Sequence, residues 1–542
     1  MAGLAATFGS GAMTNSISDL EEAACILVIG SDTSSQHPLI ARRIVRAKEK
    51  GAKLIVCDPK AIHLTAMADL YLPLKPGTNL ALLNGMAKVI LEEGLENKEF
   101  IEKRTEGFAE LKALLDTVRL DEVAQITGVP EEQIREAVRL YARAESAAIV
   151  YCMGITQHTT GTENVMAIAH LAMLTGNIGR PGTGVNPLRG QNNVQGACDM
   201  GALPNVLPAY QQVANDEARG KVASAWGVKE LPAKPGLTVV EMMEAAAQKK
   251  VKAMYIMGEN PMVSDPDLKH VEHSLRELDL LIVQDIFLTE TARLAHVVLP
   301  SACFAEKEGT FSNTERRVQR VRKAVEPPGE AKADSEIICR LAEKMGAGNL
   351  FLFKNAEEVF EEIRRVTPSY AGMTYERLNT PESLQWPCPN VEHPGIAILH
   401  KEQFTRGKGL FKPAPYRKPA EEADQEYPLT LTTGRVIFQY HTGSMSRRSP
   451  NLESEVPEGY VEVNPRDAKS LGLREGEMVG VESRRGRIET KTKISRKISP
   501  GIVFIPFHFA ERAANVLTNP ALDPISKIPE YKTCAVRIKK LH

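Results

Sequence analysis

Residues 189–201, RGQNNVQGACDMG, carry a dense set of directional polar groups. One cation, Arg189, stands among Gln191, Asn192, Asn193, Gln195 and Asp199, interleaved with Gly190, Gly196, Ala197 and Gly201. Arginine is the side chain best shaped to hold a small planar carboxylate by two parallel hydrogen bonds. Small residues let backbone approach a ligand closely. The stretch is too polar for a core and too poor in like charge for a solvated tail. It reads as a loop leading into a helix. On these residues alone a polar inter-domain turn is an equal explanation, since Asn and Gly are common in turns.

The elements around this run are α/β in pattern. CILVIG at 25–30 and KLIVCD at 53–58 are short β-branched runs, each followed by a helix-like stretch (HPLIARRIVRAKEKG, then AIHLTAMADL). AAIVYCMG at 147–154 is a third strand before another helical segment. Such alternation predicts right-handed βαβ units and a parallel sheet, whose ligands sit beyond the strand C-termini. The tips offer Ser31 and Asp32, then Asp58 and Pro59, then Gln157. Asp58 has a second explanation as a helix N-cap with Pro59 at the first helical position. No G-x-G-x-x-G accompanies these strands, so an ordinary NAD site is not supported.

The pattern recurs downstream. KAMYIMGEN at 252–260, DLLIVQD at 279–285 and HVVLP at 296–300 are strand signals with Asn260, Gln284 and Asp285 at polar tips. MGITQ and MGENP suggest two related lobes. A Pro-rich charged stretch at 411–426 reads as a linker. From 427 onward YPLTLTT, GYVEVN, MVGVESRRGRIETKTKIS and GIVFIPFHF are strands of a small β-barrel. The expected class is therefore α/β, with two α/β lobes of mostly parallel sheets plus a C-terminal β-barrel. The expected domains are 1–190, 191–410 and 427–542.

At 542 residues the chain is too long for one core. Its 43% hydrophobic and 25% charged content is that of a soluble globular protein. A net charge of −1 gives no reason to expect nucleic acid. No apolar run reaches the roughly 18 residues of a membrane span, and no secretory leader is seen. The eight cysteines are scattered singly, without the C-x-x-C spacing of an Fe–S or zinc cluster, and fit a reducing cytoplasm. His37, His296 and His508 are expected to be structural or wall residues, because no metal-ligand spacing joins them.

Ordered blocks extend over nearly the whole chain: GSGAMTNS at 9–16, CDPK at 57–60, PGTN at 76–79, MGITQ at 153–157, LTGNIGRPGTGVNPLRGQNN at 174–193, MGENP at 257–261, VQDIF at 283–287, HTGSMSRR at 441–448 and PEYKTCAV at 529–536. Together they resemble the alpha (catalytic) subunit of molybdenum- or tungsten-dependent formate dehydrogenases, in the bis-pterin-guanine-dinucleotide oxidoreductase family. The resemblance implies oxidation of formate to CO2 at molybdenum or tungsten held by two molybdopterin guanine dinucleotides. It implies Arg189 as the substrate residue. It implies cofactor contacts by Ser31, Asp32, Cys57, Asp58, Gly77, Asn79, Met153, Gln157 and Gln191 in the first part of the chain. Asn260, Gln284 and Asp285 would serve the second lobe, with Asp285 favoured because the family often has an acid where Asn260 stands. Gly434, Arg435, His441 and Thr442 would lie in the barrel's first hairpin region, and Asn515, Tyr531 and Lys532 near its end.

That family also carries an N-terminal Cys cluster for one [4Fe-4S] centre, then a metal-ligating Cys or selenocysteine followed by His. Neither is found in these residues, so no protein ligand to the metal is expected. The sequence reads as the C-terminal portion of such a subunit, with little or no activity alone. A selenocysteine codon read as a stop would account for a start here; a separate partner chain is the other explanation. The implied partners are formate, the N-terminal Fe–S portion or subunit and electron-transfer subunits. A non-catalytic pterin-holding protein and another molybdopterin oxidoreductase remain as alternatives.

Overall fold

Cys25–Ile29 and Ala147–Tyr151 contain no charged residue, and both are buried along their whole length. That is the pattern of strands covered on two faces. They pair in parallel at the centre of a five-stranded sheet, with Cys25 opposite both Lys53 and Ala147. The strand order is Leu70–Leu72, Lys53–Cys57, Cys25–Ile29, Ala147–Tyr151, Gly184–Pro187, all parallel. The computed structural model describes residues 1–380 and 383–541.

This sheet belongs to a unit formed by Met1–Gly190, Val263–Lys269 and Ile398–His542. One face packs on a large core that includes Leu83 and Met86 of the helix Asn79–Glu92, Val138 of Glu131–Ala142 and Ile168 and Leu171 of Gly161–Leu174. The other face meets Ile40, Ile44 and Ala47 of the helix Pro38–Glu49. Those positions fall on one stripe of the helix, and Pro38 opens it at the position where a missing N–H costs nothing.

Two local expectations are overturned here. Pro59 starts no helix, so Asp58 is not an N-cap. The chain makes only a short 3-10 turn, His63–Met67, before the edge strand Leu70–Leu72. Asp58 Oδ1 instead accepts from the Lys60 amide at 3.0 Å in a tight Asx turn. The stretch 411–426 is a bound strap rather than a free linker. Asn84 Nδ2 donates to the Ala414 carbonyl at 2.9 Å, the Lys412 amide donates to His170 Nε2 at 3.1 Å, and the Ala420 amide reaches Glu530 at 3.0 Å.

The same unit contains a closed six-stranded barrel, ordered Leu429–Gly434, Ile502–Pro506, Tyr460–Val463, Arg487–Ile494, Met478–Glu482, Cys534–Lys540. Alternate residues such as Leu431, Val461, Val463, Val479, Val481, Val503 and Ile505 fill its interior. Gly434, Arg435, His441 and Thr442 do not belong to a hairpin. The strand before them pairs with Ile502–Pro506 and Cys534–Lys540, not with its successor. The segment after Gly434 is therefore a long connection, which includes the helix Pro450–Glu455 before the next strand begins.

The second unit comprises Gln191–Met262 and His270–Ala397. Its parallel sheet is ordered Val297–Pro300, Leu280–Asp285, Ala253–Met257. Met243, Ala246, Val271 and Leu275 cover one face, whereas Tyr255, Met257, Leu280 and Val297 on the other are 39%, 51%, 38% and 42% exposed. The unit also has a three-stranded antiparallel sheet, Gly309–Ser312, Arg317–Val321 and Leu384–Gln385, and a short Val206–Gln212 ribbon. Part of the polar run that opens this unit is core, contrary to its composition. The helix Val194–Asp199 buries Asp199, which accepts from Gln195 (2.8 Å), Tyr210 (2.8 Å), Tyr370 (2.5 Å) and Trp386 Nε1 (2.8 Å). Four donors satisfy a carboxylate that burial otherwise pushes upward in pKa.

In the first sheet Gly30 and Gly154 touch backbone to backbone, and the Gly154 amide donates to the Gly30 carbonyl at 3.0 Å. A Cβ on residue 154 would lie 2.6 Å from the Gly30 oxygen and 2.7 Å from its Cα. Gly154→Ala is expected to lower stability by about 1–3 kcal/mol, the usual range for overpacking, measured by denaturant unfolding.

Candidate functional site

The two central strands of the first sheet lead their connections to opposite sides, which opens a crevice at their C-terminal tips. Gly30, with φ +57, turns the chain out of the first strand. Ser31 is buried with its hydroxyl 2.9 Å from that of Thr33, and Asp32 caps the helix Thr33–Gln36. On the neighbouring tip Asp58 sits in its Asx turn, with its carbonyl accepting from the Tyr71 hydroxyl at 3.0 Å. Cys152, Met153 and Gln157 follow the Ala147–Tyr151 strand.

Arg189 follows the last strand of this sheet. It is half-buried, and its guanidinium donates to the Gly11 carbonyl at 2.8 Å. His37 Nε2 lies 2.6 Å from the Arg189 carbonyl. The Gly190 carbonyl receives His441 Nε2 at 2.8 Å and Arg435 Nη2 at 3.1 Å. His508 accepts the Val436 amide at Nε2 (3.0 Å), so its Nδ1–H donates to the His441 carbonyl. Burial, with Arg435 alongside, drives both His441 and His508 down to about 3, and burial lowers His37 as well. These imidazoles are therefore neutral hydrogen-bonding groups at pH 7.

Two buried cations, Lys532 and Arg435, belong to this edge. Lys532 donates to the Thr433 carbonyl at 2.7 Å, and burial lowers it to about 8, with nearby Arg435 pushing the same way. Arg435 is also lowered, by burial first. Among the described residues neither forms an ion pair within 4 Å of a carboxylate. Asp58, close enough to feel both Asp32 and Lys532, is raised to about 7 by its own burial. Desolvated positive groups suit a phosphate-bearing anion or a carboxylate.

Against this geometry stand the matches to known proteins. Residues 3–344 match the family model "Molybdopterin oxidoreductase", and residues 429–535 match "Molydopterin dinucleotide binding domain". Over 542 residues the chain is 58% identical to F420-dependent formate dehydrogenase 1 subunit alpha of Methanococcus maripaludis, covering 99% of this chain and 80% of that one. The chain belongs to the molybdopterin oxidoreductase family. It is 42% identical to formate dehydrogenase H of Escherichia coli, over 100% of this chain and 76% of that protein. In fold it is similar to acetylene hydratase from Pelobacter acetylenicus, with a TM-score of 0.78 and 24% identity over the whole chain and 80% of that structure.

The donor set fits a molybdopterin dinucleotide with its pyrophosphate. Acid groups suit base or ribose donors, and Lys532 and Arg435 supply buried positive charge for phosphates. Of the expected set, Asp32 and Asp58 stand at the tips of neighbouring strands, Arg435 and His441 meet at the Gly190 carbonyl, and Lys532 lies on the Thr433 carbonyl, near enough to Asp58 and Arg435 to feel both. Gly434 ends the barrel strand that leads to Arg435, Thr442 pairs its hydroxyl with Ser444, and the Tyr531 carbonyl accepts from Thr433. Gly77 turns at φ +82, and Asn79 Nδ2 lies 3.1 Å from His158 Nε2, itself 2.9 Å from the Gly154 carbonyl.

Several expected contacts have other employment in this member of the molybdopterin oxidoreductase family. Cys57 points into the apolar core, where burial pushes its thiol far up, so its side chain does not reach the crevice. Asn515 donates to the Val263 and Ser264 carbonyls and holds that segment in place. In the second unit Asn260 binds Glu290 and accepts from Thr291, and Gln284 is wholly buried with Tyr255 and Asp334. Asp285 closes its strand and accepts the Phe287 amide at 3.0 Å. Gln191 is exposed. Sequence reading missed His158 and the Gly30–Gly154 contact. The available signal was the strand-then-glycine pair VIG and CMG, since glycine at a strand tip marks a close approach.

Asp58 gives the site a pH signature. A carboxyl raised from 3.8 to about 7 keeps its proton in the folded state, so its contribution to stability is full below pH 4 and is lost as pH rises to 7. In ligand-free protein Asp58→Asn should therefore match the parent near pH 4 and exceed it in stability at pH 8, read by urea unfolding at the two pH values.

Proposed function

We propose that this chain is the formate-oxidising part of a formate dehydrogenase, with Arg189 holding the substrate beside a molybdenum or tungsten centre carried by two pterin guanine dinucleotides. The observation that carries the reading is the placement of Arg189, with its guanidinium anchored on the Gly11 carbonyl at the sheet edge where ligands of this topology bind. The 58% identity to an F420-dependent formate dehydrogenase alpha subunit supports the substrate choice.

Formate offers almost no surface for apolar burial, so its recognition must be electrostatic and directional. A guanidinium grips the anion but has little hold on neutral CO2, so oxidation itself weakens the attachment and favours release. Asp32, Asp58, Arg435 and Lys532 would hold the dinucleotide's polar ends, and His441 and Thr442 would line the same region. When bound, the metal–pterin group accepts the two electrons that leave as formate becomes CO2 and a proton. An Fe–S portion and partner subunits would supply the exit for those electrons and set the final acceptor. We place the protein in the cytoplasm on the strength of its eight cysteines, which are scattered singly through the sequence. Among the described residues no helix is long and apolar enough to cross a membrane.

In the complete enzyme, Arg189→Leu and Arg189→Lys should each cost about 2–4 kcal/mol of transition-state stabilisation, read as kcat/KM for formate with a dye acceptor. Full turnover by Arg189→Lys would remove formate binding from this residue. Molybdenum or tungsten together with two guanine nucleotides per metal, measured on the purified protein, is the expected cofactor content.

A further inference from the structure

The two peptide carbonyls that flank the Cα of residue 190, those of Arg189 and Gly190, are both captured by imidazoles. His37 reaches the first at 2.6 Å, and His441 with Arg435 reaches the second at 2.8 and 3.1 Å. Gly190 leaves room for this arrangement: a Cβ there would lie 2.8 Å from Arg435 Nη2 and 3.2 Å from His441 Cε1, so the guanidinium end would have to shift. His37 has no other hydrogen bond from its ring: Nδ1 is buried without a partner. Its backbone is fixed between two helices, with its amide on the Thr33 carbonyl (2.8 Å) and its carbonyl accepting from Ile40 (3.0 Å) and Ala41 (2.9 Å). A capping role does not explain the side chain, which caps neither helix.

We propose that His37 is a positioning residue for Arg189: its Nε2–H, opposite His441 on the next carbonyl, locks the main chain that aims the guanidinium at the incoming carboxylate. The proposal rests on Arg189 as the formate-holding residue. Arginine loses much rotamer freedom when it is ordered. Holding the main chain with His37 and the guanidinium on the Gly11 carbonyl removes that loss before substrate arrives. An imidazole suits the task because burial keeps it neutral, so no further cation competes for the anion.

The test is phenylglyoxal labelling of Arg189 in the full 542-residue chain, followed by peptide mass spectrometry with and without formate. Loss of one hydrogen bond corresponds to about a tenfold change. In His37→Phe, labelling of Arg189 should be about tenfold faster, and about tenfold more formate should be needed to protect it. His37→Gln, whose amide N–H falls near the position of Nε2, should return both values toward the parent. His37→Asn, whose amide falls near Nδ1, should not. Should His37→Phe fail to fold, the Gln and Asn pair decides the matter. Equal labelling in parent and His37→Phe, or equal rescue by Gln and Asn, overturns the proposal. If formate protects nothing in the parent, the formate reading of the site fails, and the formate-free labelling rates still decide whether His37 holds Arg189.

Discussion

Backbone contact between Gly30 and Gly154 is the constraint on which the first unit's site depends. The two central strands run in register from Cys25 and Ala147, and both end at this contact. Any side chain at either position would wedge the tips apart. The consequence is that the chain leaves one strand through Ser31 and Asp32 and the other through Cys152 and Met153. The opening between strand tips is thus set by hydrogen-bond register and by the absence of two Cβ atoms, before any ligand contributes.

Polar groups brought to this edge are held at an energetic disadvantage. Lys532 and Arg435 are desolvated close to one another, and Asp58 is desolvated close to Asp32. Each shift runs against the charged form. The large apolar core beneath the sheet and the barrel interior offset this cost, as is usual where a binding site departs from the local optimum. A phosphate-bearing anion would reverse the penalty on the cations. Neutral histidines, by contrast, add donors without adding charge, which is why His37, His441 and His508 can all surround one cation-rich segment.

The sequence made several features legible. Continuous apolar runs announced the buried parallel strands, and the succession of strand signals after 427 announced the barrel. Arg189 stood out because a lone guanidinium among amides and glycines has few structural uses. Other features were not legible. Cys57 and Asp58 are adjacent in the sequence, but the pleat sends one into the core and leaves the other at the edge. Asp199 belonged to a run that read as too polar for a core, and it is buried because Tyr210 and the distant Tyr370 and Trp386 converge on it. Pro59 resembled a helix start, yet the following residues pass directly to an edge strand.

Local chemistry in the chain alone determined the element types, the parallel character of the first sheet, the presence of a barrel and the identity of the cation suited to a carboxylate. Those depend on periodicity and on side-chain geometry, which are written residue by residue. Only the tertiary structure decided which polar groups meet. The pairing of His37 with Arg189 spans 152 residues and that of His441 with Gly190 spans 251, and both arise from strand order and loop crossing. No local rule encodes such distances, because they are set by how whole elements pack.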